Sequence, residues 1–557
     1  MRFGSDYVGV DCTVTPGPIP WNDRFRGYDK FDLAKRWLED SLKASGISTT
    51  GRSGTNLTAL RISSSVSRQK PLLPSRVLYL GEKGVDPRGD LKLECNTTGK
   101  RADYFTLSYR WGKSEPFTTT KESESARCTE IRFRDMPNTL KDAVEVTRRM
   151  GCRYLWIDAL CILQDSLEDW KKESQNMGNI YRDSLCTIAA HCAKSSSDGF
   201  LAKAIHSSAS PVKVRARTSP NGPIEKFESF IRMPGDFKTQ VDEGHLSKRG
   251  WVLQERVLST RILHFAEEAL FWEDAEGVKC ENGDLLDITE ELQNGSNSRR
   301  RMKPDVSQFG VKDWYEWVER YARCDLTNES DKLPAIAGIA NVMIAYTKRP
   351  YFAGLWMDHL QYGLIWNPVS PLHRPAYKRA PSWSWASFDG QVEYSKKFAT
   401  SVSEMKFIGI SERPGGVGTA SLLPPDGPSV LEIQTAVRTI SHGSRLENSG
   451  CDPTEAGPCS RTPGHYCSFR LVDESVKELG GWIGTVAFDD SEDRGGNEFP
   501  KDVVCARIGS HEGKPGYSML VLARTHKFEN EFRRVGMGSV SHPGWFNDAA
   551  TISLHIV

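Results

Sequence analysis

No stretch of this chain is apolar for long enough to cross a bilayer. The longest nearly apolar run, Leu333 to Tyr346, is shorter than a span and is interrupted by Asn341. The opening residues, MRFGSDYVGVDC, contain no apolar signal core, so the expectation is a soluble, cytoplasmic protein with no membrane partner. An excess of one charge is also missing: 73 Lys and Arg stand against 72 Asp and Glu, a net charge of +1. That balance gives no global field to attract nucleic acid, so a nucleic-acid partner is disfavoured and partners must be chosen locally. The 13 cysteines include no CxxC pair and their number is odd, which fits reduced thiols better than a disulfide framework. No internal repeat is present.

The composition that remains is globular, 38% apolar and 26% charged, in a chain long enough for several domains. Its organising stretch is Arg153 to Ala190. Two short apolar runs, Tyr154 to Ile157 and Leu185 to Ala190, are rich in strand-favouring residues and predict buried strands. Between them Gln164-Asp165-Ser166 makes a polar turn. Leu167, Trp170, Ser174, Met177 and Tyr181 then recur at helical spacing, with Ser166 and Asp169 as a capping signal. Strand, loop, helix and strand in this order predict parallel strands, with polar chemistry at their carboxyl ends, where Asp158, Gln164 and Asp165 fall.

Around this unit the chain reads as α/β. Residues 1–45 begin as Pro- and Gly-containing coil and end in a helix from Phe31 to Leu42, and residues 43–70 read as an exposed linker. A hairpin from Arg76–Leu80 and Leu91–Leu93, a strand from Tyr104 to Tyr109, a long polar loop from Lys113 to Arg134 and a helix from Pro137 to Met150 follow. Residues 194–245 look irregular. A short helix at Trp251–Leu258 and strands at Arg261–Phe265 and Ala269–Trp272 restore order, and polar residues 276–304 mark a boundary. Trp314–Tyr321 and Lys332–Tyr346 read as helices, residues 379–391 as an aromatic turn region, and residues beyond 400 as short strands between Gly/Pro-rich loops. The expected divisions are 1–70, an N-terminal helix and linker; 71–275, an α/β domain; 276–400, a helical and aromatic extension; and 401–557, a mainly antiparallel β region.

Three separated blocks carry a resemblance: TLSYRWG at 106–112, LWIDALCILQDSLEDWKKESQNMGNIYRDS at 155–184 and RGWVLQERVLSTRILHF at 249–265. Together they resemble the fungal heterokaryon incompatibility (HET) domain. LTNESDKLPAIAGIA at 326–340, YFAGLW at 351–356, RAPSWSWAS at 379–387 and FRRVGMG at 532–538 are similar to the trailing region of many such proteins. Relatives often continue the helix resembled by FDLAKRWL into a Cys/His cluster. This chain reads EDSLKASG there, so no metal is assigned. The resemblance implies a role in nonself recognition and programmed cell death, a form of fungal innate immunity, with an incompatibility partner protein.

The HET domain in turn distantly resembles TIR domains. YFTLSYRWG is similar to the TIR first strand and its loop, and Glu173 matches the TIR catalytic glutamate. The resemblance implies a TIR/flavodoxin-like parallel sheet that cleaves NAD, as substrate rather than cofactor, to nicotinamide and ADP-ribose, with self-association for activation. The other reading is a noncatalytic signalling or protein-interaction module.

The residues themselves leave pairs of roles open. Glu173 lies on the shoulder of its helix's apolar face, where partial desolvation lets a carboxylate act strongly on an oxocarbenium-like transition state; it could equally pair with Lys172, Arg182 or a strand arginine. Asp169 is a second carboxylate or a member of the cap. Asp158 binds ligand or holds a turn. Arg110, Trp111 and Gly112 suit a phosphate, a base and a close backbone approach, or form a structural turn with a core Trp. Gln164 and Asp165 complete this substrate-binding set. A second cluster, Trp251, Gln254, Glu255 and Arg256, makes structural ion pairs or contacts ligand. Cys161 and Cys186 read as small buried hydrophobes rather than nucleophiles. Cys451, Cys459, His465 and Cys467 are spaced too loosely for zinc. Arg299, Arg300, Arg301 and Lys303 form a solvated basic loop or a nuclear signal.

Overall fold

The computed structural model describes residues 11–14, 30–45, 69–82, 84, 86–112, 117–201, 210–217, 224–231, 237–281, 310–370, 372–394, 402–412, 429–439, 444–448, 469–473, 482–490, 503–510 and 516–557. Most of the linker at 43–70, the basic run at 299–303 and the Cys451, Cys459, His465 and Cys467 group lie outside the described residues. The chain divides into two compact units, Met1–Lys248 with Glu255–Pro304, and Arg249–Gln254 with Asp305–Val557. Among the described residues no helix is long and apolar enough to cross a membrane.

In chain order the first unit contains β1 (Asp11–Val14), α1 (Lys30–Ser45), β2 (Val77–Tyr79), β3 (Lys92–Glu94), β4 (Phe105–Ser108), α2 (Glu124–Thr129) and α3 (Asn138–Arg149). It continues with β5 (Tyr154–Trp156), α4 (Asp158–Cys161), α5 (Leu167–Asp183), β6 (Cys186–Ala190), β7 (Ser210–Arg217) and β8 (Ile224–Ile231). The helix α6 (Gly250–Leu258) precedes β9 (Ile262–Phe265), β10 (Leu270–Asp274) and β11 (Gly277–Cys280). Eight strands form one sheet in the order β11-β10-β9-β6-β4-β5-β2-β3. Its middle four are parallel, β4 pairing with β5 and β6, and β6 with β9. The flanking pairs are antiparallel.

This mixed α/β arrangement follows from the local sequence. β4 and β6 are buried along their whole length and read as continuous apolar or small runs, as strands covered on both faces must. The helix between β5 and β6 is capped by Ser166, whose side chain accepts from the Asp169 backbone N–H. Tyr181 fixes its far end: the ring packs edge-on against Trp156 at 5.8 Å and the hydroxyl donates to the Leu107 carbonyl at 3.0 Å. β5 and β6 are parallel but not neighbours, because β4 lies between them. The winding of the parallel strands therefore reverses between β4 and β6, the kind of switch point at which doubly wound sheets commonly bind ligands.

Three expectations are corrected. Residues 194–245 are not irregular throughout, since β7 and β8 form an antiparallel hairpin and β1, in the supposed N-terminal coil, pairs with β7. The alternation in PVKVRAR was the strand signal, but a short alternating run flanked by polar loops does not by itself reveal a partner 200 residues away in sequence. Second, the thiols are not all reduced: Cys95, just after β3, and Cys128, in α2, are joined in a disulfide. Third, Leu167 is not on the buried face of α5. It is 68% exposed, and burial begins at Glu173 and continues through Ser174, Met177, Gly178, Ile180 and Tyr181. The first turn is tied to the polar loop before it rather than packed on the sheet.

The second unit contains helices Val311–Tyr321 and Pro334–Thr347 and a ten-stranded sheet, antiparallel except for the short pairing of Glu531–Phe532 with His555–Ile556. Trp314, Trp356, Trp366, Trp383 and Trp385 are fully buried in it. Each indole carries a large apolar area, so the aromatic turn region is core rather than surface. Arg534 and Asp489 are both completely buried and bonded to one another.

Candidate active site

Glu173 is 1% exposed, fully inside the buried face of α5 rather than on its shoulder. Its Oε1 accepts from Ser75 Oγ at 2.6 Å, and its Oε2 is buried with no hydrogen-bond partner. Neither Lys172 nor Arg182 pairs with it, and among the described residues it forms no salt bridge. The nearby cation is Arg76, whose Nε donates to the Cys161 carbonyl at 3.1 Å and whose Nη2 is bonded to Asp169 Oδ2. Burial works against the Arg76 charge, but the hydrogen bond and charge of Asp169, with Glu173 and Glu124 behind them, raise its pKa above the usual guanidinium value. Asp169 Oδ2 also accepts from the Leu163 N–H at 2.8 Å, so this carboxylate holds the loop to the helix. Cys161 is buried, and desolvation pushes its thiol up to about 12, which leaves it a small apolar side chain rather than a thiolate. Cys186 is likewise buried.

The remaining members of the predicted binding set form a different group. Trp111 Nε1 donates to Asp158 Oδ2 at 2.9 Å, while Asp158 Oδ1 accepts from the Ala159 N–H. Gln164 Nε2 donates to the carbonyls of Asp158 and Ile162, and both carboxylate oxygens of Asp165 accept from the Lys121 N–H. Thr119 completes the attachment, bridging to Leu163. These polar residues thus fasten the long loop after β4 over the carboxyl end of β5. Arg110 lies just after β4 and is half-buried.

Gly112 has φ +83°, and a Cβ there would lie 2.5 Å from Ser195 Cβ and 3.1 Å from its Cα. The close approach that this glycine permits is to the segment after β6, not to open space. That segment is held there by the Ser196 N–H, which donates to the Trp111 carbonyl. Gly112→Ala is therefore expected to destabilise the chain by about 1–3 kcal/mol, combining a left-handed backbone with a clash. Urea unfolding measures it, and an unchanged midpoint would refute the packing described.

The second predicted cluster divides. Trp251 Nε1 donates to Asp331 Oδ2 at 3.0 Å, and Gln254 Oε1 accepts from the Gly338 N–H at 3.1 Å; all four belong to the second unit. Glu255 and Arg256 belong to the first. Glu255 accepts from Ser108 Oγ at the end of β4. Arg256 pairs with Glu273, Nε to Oε2 at 2.9 Å, and with Asp242, Nη1 to Oδ1 at 2.7 Å.

Sheet register explains why these groups meet. Ser108 is level with Ala189, and Ala189 with His264, so the three lie on one face at the carboxyl end of β4, β6 and β9. Two residues earlier on the same face, Thr106 and Thr187 bond through their hydroxyls, and Thr187 bonds Ser259. A polar seam therefore runs along this face of β4 and β6, inside an otherwise apolar sheet. Ser75, Arg76, Ser108, His191, His264 and Glu273 are the residues that spacing arguments do not single out. The available signal was polar residues at alternate positions of apolar strands, as in Thr106 and Ser108.

Among the described residues no group of three or more His, Cys, Asp and Glu side chains is arranged to hold a metal. Residues 104–255 match the family model described as heterokaryon incompatibility protein (HET). No curated protein and no solved structure matches the chain.

Proposed function

We propose, from the HET domain at residues 104–255, that this protein acts in heterokaryon incompatibility, and that the domain hydrolyses NAD to nicotinamide and ADP-ribose through Glu173. The observation that carries the catalytic half is a buried carboxylate with one oxygen fixed by Ser75 and the other unpartnered. In a water-poor site a negative charge acts strongly on a cation that develops as a glycosidic bond breaks. Cleavage of the nicotinamide–ribose bond puts positive charge on the ribose ring as neutral nicotinamide leaves, so a single held carboxylate suits it. The order of the parallel strands, β5-β4-β6-β9, also agrees with a TIR-like, flavodoxin-like core, since it is the order of a doubly wound sheet with its crevice between the first and third strands.

Glu173 at 1% exposure cannot touch a substrate in the closed arrangement. Activation therefore requires an opening between α5 and the Ser75–Arg76 segment, and self-association, triggered by an incompatibility partner, is the event proposed to supply it. Incubating the purified chain with NAD and following nicotinamide tests the reading. Release is expected; none from a preparation shown to self-associate would overturn it.

The same burial favours a second reading, a noncatalytic signalling module that triggers cell death through protein contacts. On that reading Glu173→Gln keeps the killing phenotype, while surface changes within residues 401–557 abolish it.

A further inference from the structure

The two ends of the Cys95–Cys128 disulfide lead by separate routes to the segment that holds Glu173. On one side, Thr97, two residues past Cys95, is buried, and its Oγ1 donates to the carbonyls of Pro74 at 2.5 Å and Ser75 at 3.2 Å. Ser75 is the residue whose hydroxyl fixes Glu173 Oε1. On the other side, Cys128 stands one helical turn past Glu124 on α2, so the two share a face of the helix. Glu124 Oε1 lies 3.8 Å from Arg76 Nε, and Arg76 is bonded to Asp169 on α5. The position of α2 and that of the Ser75–Arg76 segment are therefore set together by the disulfide.

Packing alone does not hold α2 in place, because the helix buries none of its residues. The chain is attached on either side of it: Ile131 exchanges backbone hydrogen bonds with Leu91, and the Thr119 N–H donates to the Ala159 carbonyl. Between those points the Glu124–Arg76 pair is partly exposed, and such pairs contribute little by themselves. Segments with few buried apolar contacts are the ones that open locally. Cys95 and Cys128 are both half-buried, within reach of an external thiol. Cys152, Cys161, Cys186, Cys192 and Cys280 of the same unit are buried, so within this group exchange starts at the Cys95–Cys128 bond.

We propose that the Cys95–Cys128 bond is a thiol–disulfide exchange site, a latch whose reduction by a dithiol releases α2 from the Ser75–Arg76 segment and so governs the opening beside Glu173. A thiolate of the dithiol attacks one sulfur, forming a mixed disulfide and freeing the other cysteine as its thiolate. The second thiol of the dithiol then displaces the remaining cysteine. Two electrons pass to the cysteine pair, which takes up two protons and ends as two thiols, while the dithiol ends as a disulfide. With the bond gone, the stretch between Cys95 and Cys128 regains the freedom that the cross-link had removed. Release of α2 loosens one side of the gap that self-association is proposed to open. Control over Glu173 rests on the NAD reading; the latch rests on its own contacts.

Amide hydrogen exchange on the intact chain tests the latch, comparing a sample oxidised with glutathione disulfide and one reduced with dithiothreitol. Peptide mapping shows whether each sample holds the Cys95–Cys128 bond or two thiols. Reduction is expected to speed exchange across α2 on the order of ten-fold and to leave β4 and β6 unchanged. Cys128→Ser is expected to show the fast pattern in both conditions; should that variant not fold, the two wild-type samples decide. Unchanged exchange in α2, or a rise that spreads through β4 and β6, means a structural cross-link only and overturns the latch. Free thiols at both positions in the oxidised sample would overturn it as well. Nicotinamide release by the self-associated chain is expected to rise on the order of ten-fold on reduction. Faster exchange in α2 with no nicotinamide from either sample leaves the latch standing and removes the catalytic reading. Equal release from both samples keeps the catalytic reading and overturns the latch.

Discussion

Replacing Arg534 with leucine is expected to destabilise the chain by about 3–5 kcal/mol, the range for breaking a buried ion pair and leaving one charge behind. Arg534 and Asp489 have no exposed side-chain surface. The guanidinium meets the carboxylate through two nitrogens, at 2.9 and 3.1 Å, and also donates to the carbonyls of Leu364 and Trp366. Its Cζ lies 3.3 Å from the Trp366 ring centroid. Burial, joined by the charge of Asp490, raises the pKa of Asp489, and Arg534 opposes that rise by charge and hydrogen bond. Without the arginine, Asp489 must either remain charged in an apolar core or take up a proton, and two carbonyls lose their donor. Removing both members should cost less than the sum of the single changes, since the second change relieves the charge that the first one strands. Urea unfolding of Arg534→Leu, Asp489→Leu and the pair measures this directly. A single-variant loss below about 1 kcal/mol would show that the pair is not the anchor described.

Much of the first unit was legible because its elements obey simple periods. The capped helix from Leu167 and the strands that bracket it follow from apolar spacing and from Ser166. The β2–β3 hairpin was readable from its turn-rich interior. What the sequence did not reveal depends on contacts between distant segments. β1 pairs with β7 across about 200 residues, and no local pattern names such a partner. The placement of Glu173 was legible as a position on a helix, but the buried face is rotated toward it relative to the one drawn through Leu167 and Trp170. Tyr181 sets that rotation, through contacts with Trp156 and Leu107 made only when the sheet is assembled. Asp158, Gln164 and Asp165 do fall at a strand's carboxyl end, yet each is engaged with the loop that covers it. His191, His264 and Glu273, hydrogen-bonded in a row, drew no attention because they lie on three separate elements and form no linear motif.

Glu173→Gln is expected to lower NAD hydrolysis on the order of 10²–10³-fold, the loss typical when one group that stabilises transition-state charge is removed. The change is nearly isosteric. Ser75 Oγ can still donate to the amide oxygen, so the fold should persist and the melting temperature should not fall. This separates it from changes at Asp169, which would also release Arg76 and the Leu163 N–H and so confound activity with stability. A drop caused by unfolding would be accompanied by a lower melting point; a drop caused by lost charge stabilisation would not. The decisive measurement is the rate of nicotinamide release by the self-associated chain, wild type against Glu173→Gln, at matched folded concentration. The account predicts release by the wild type and a loss of about 10²–10³-fold in the variant. Equal rates in the two proteins, or no release from the wild type, would contradict it.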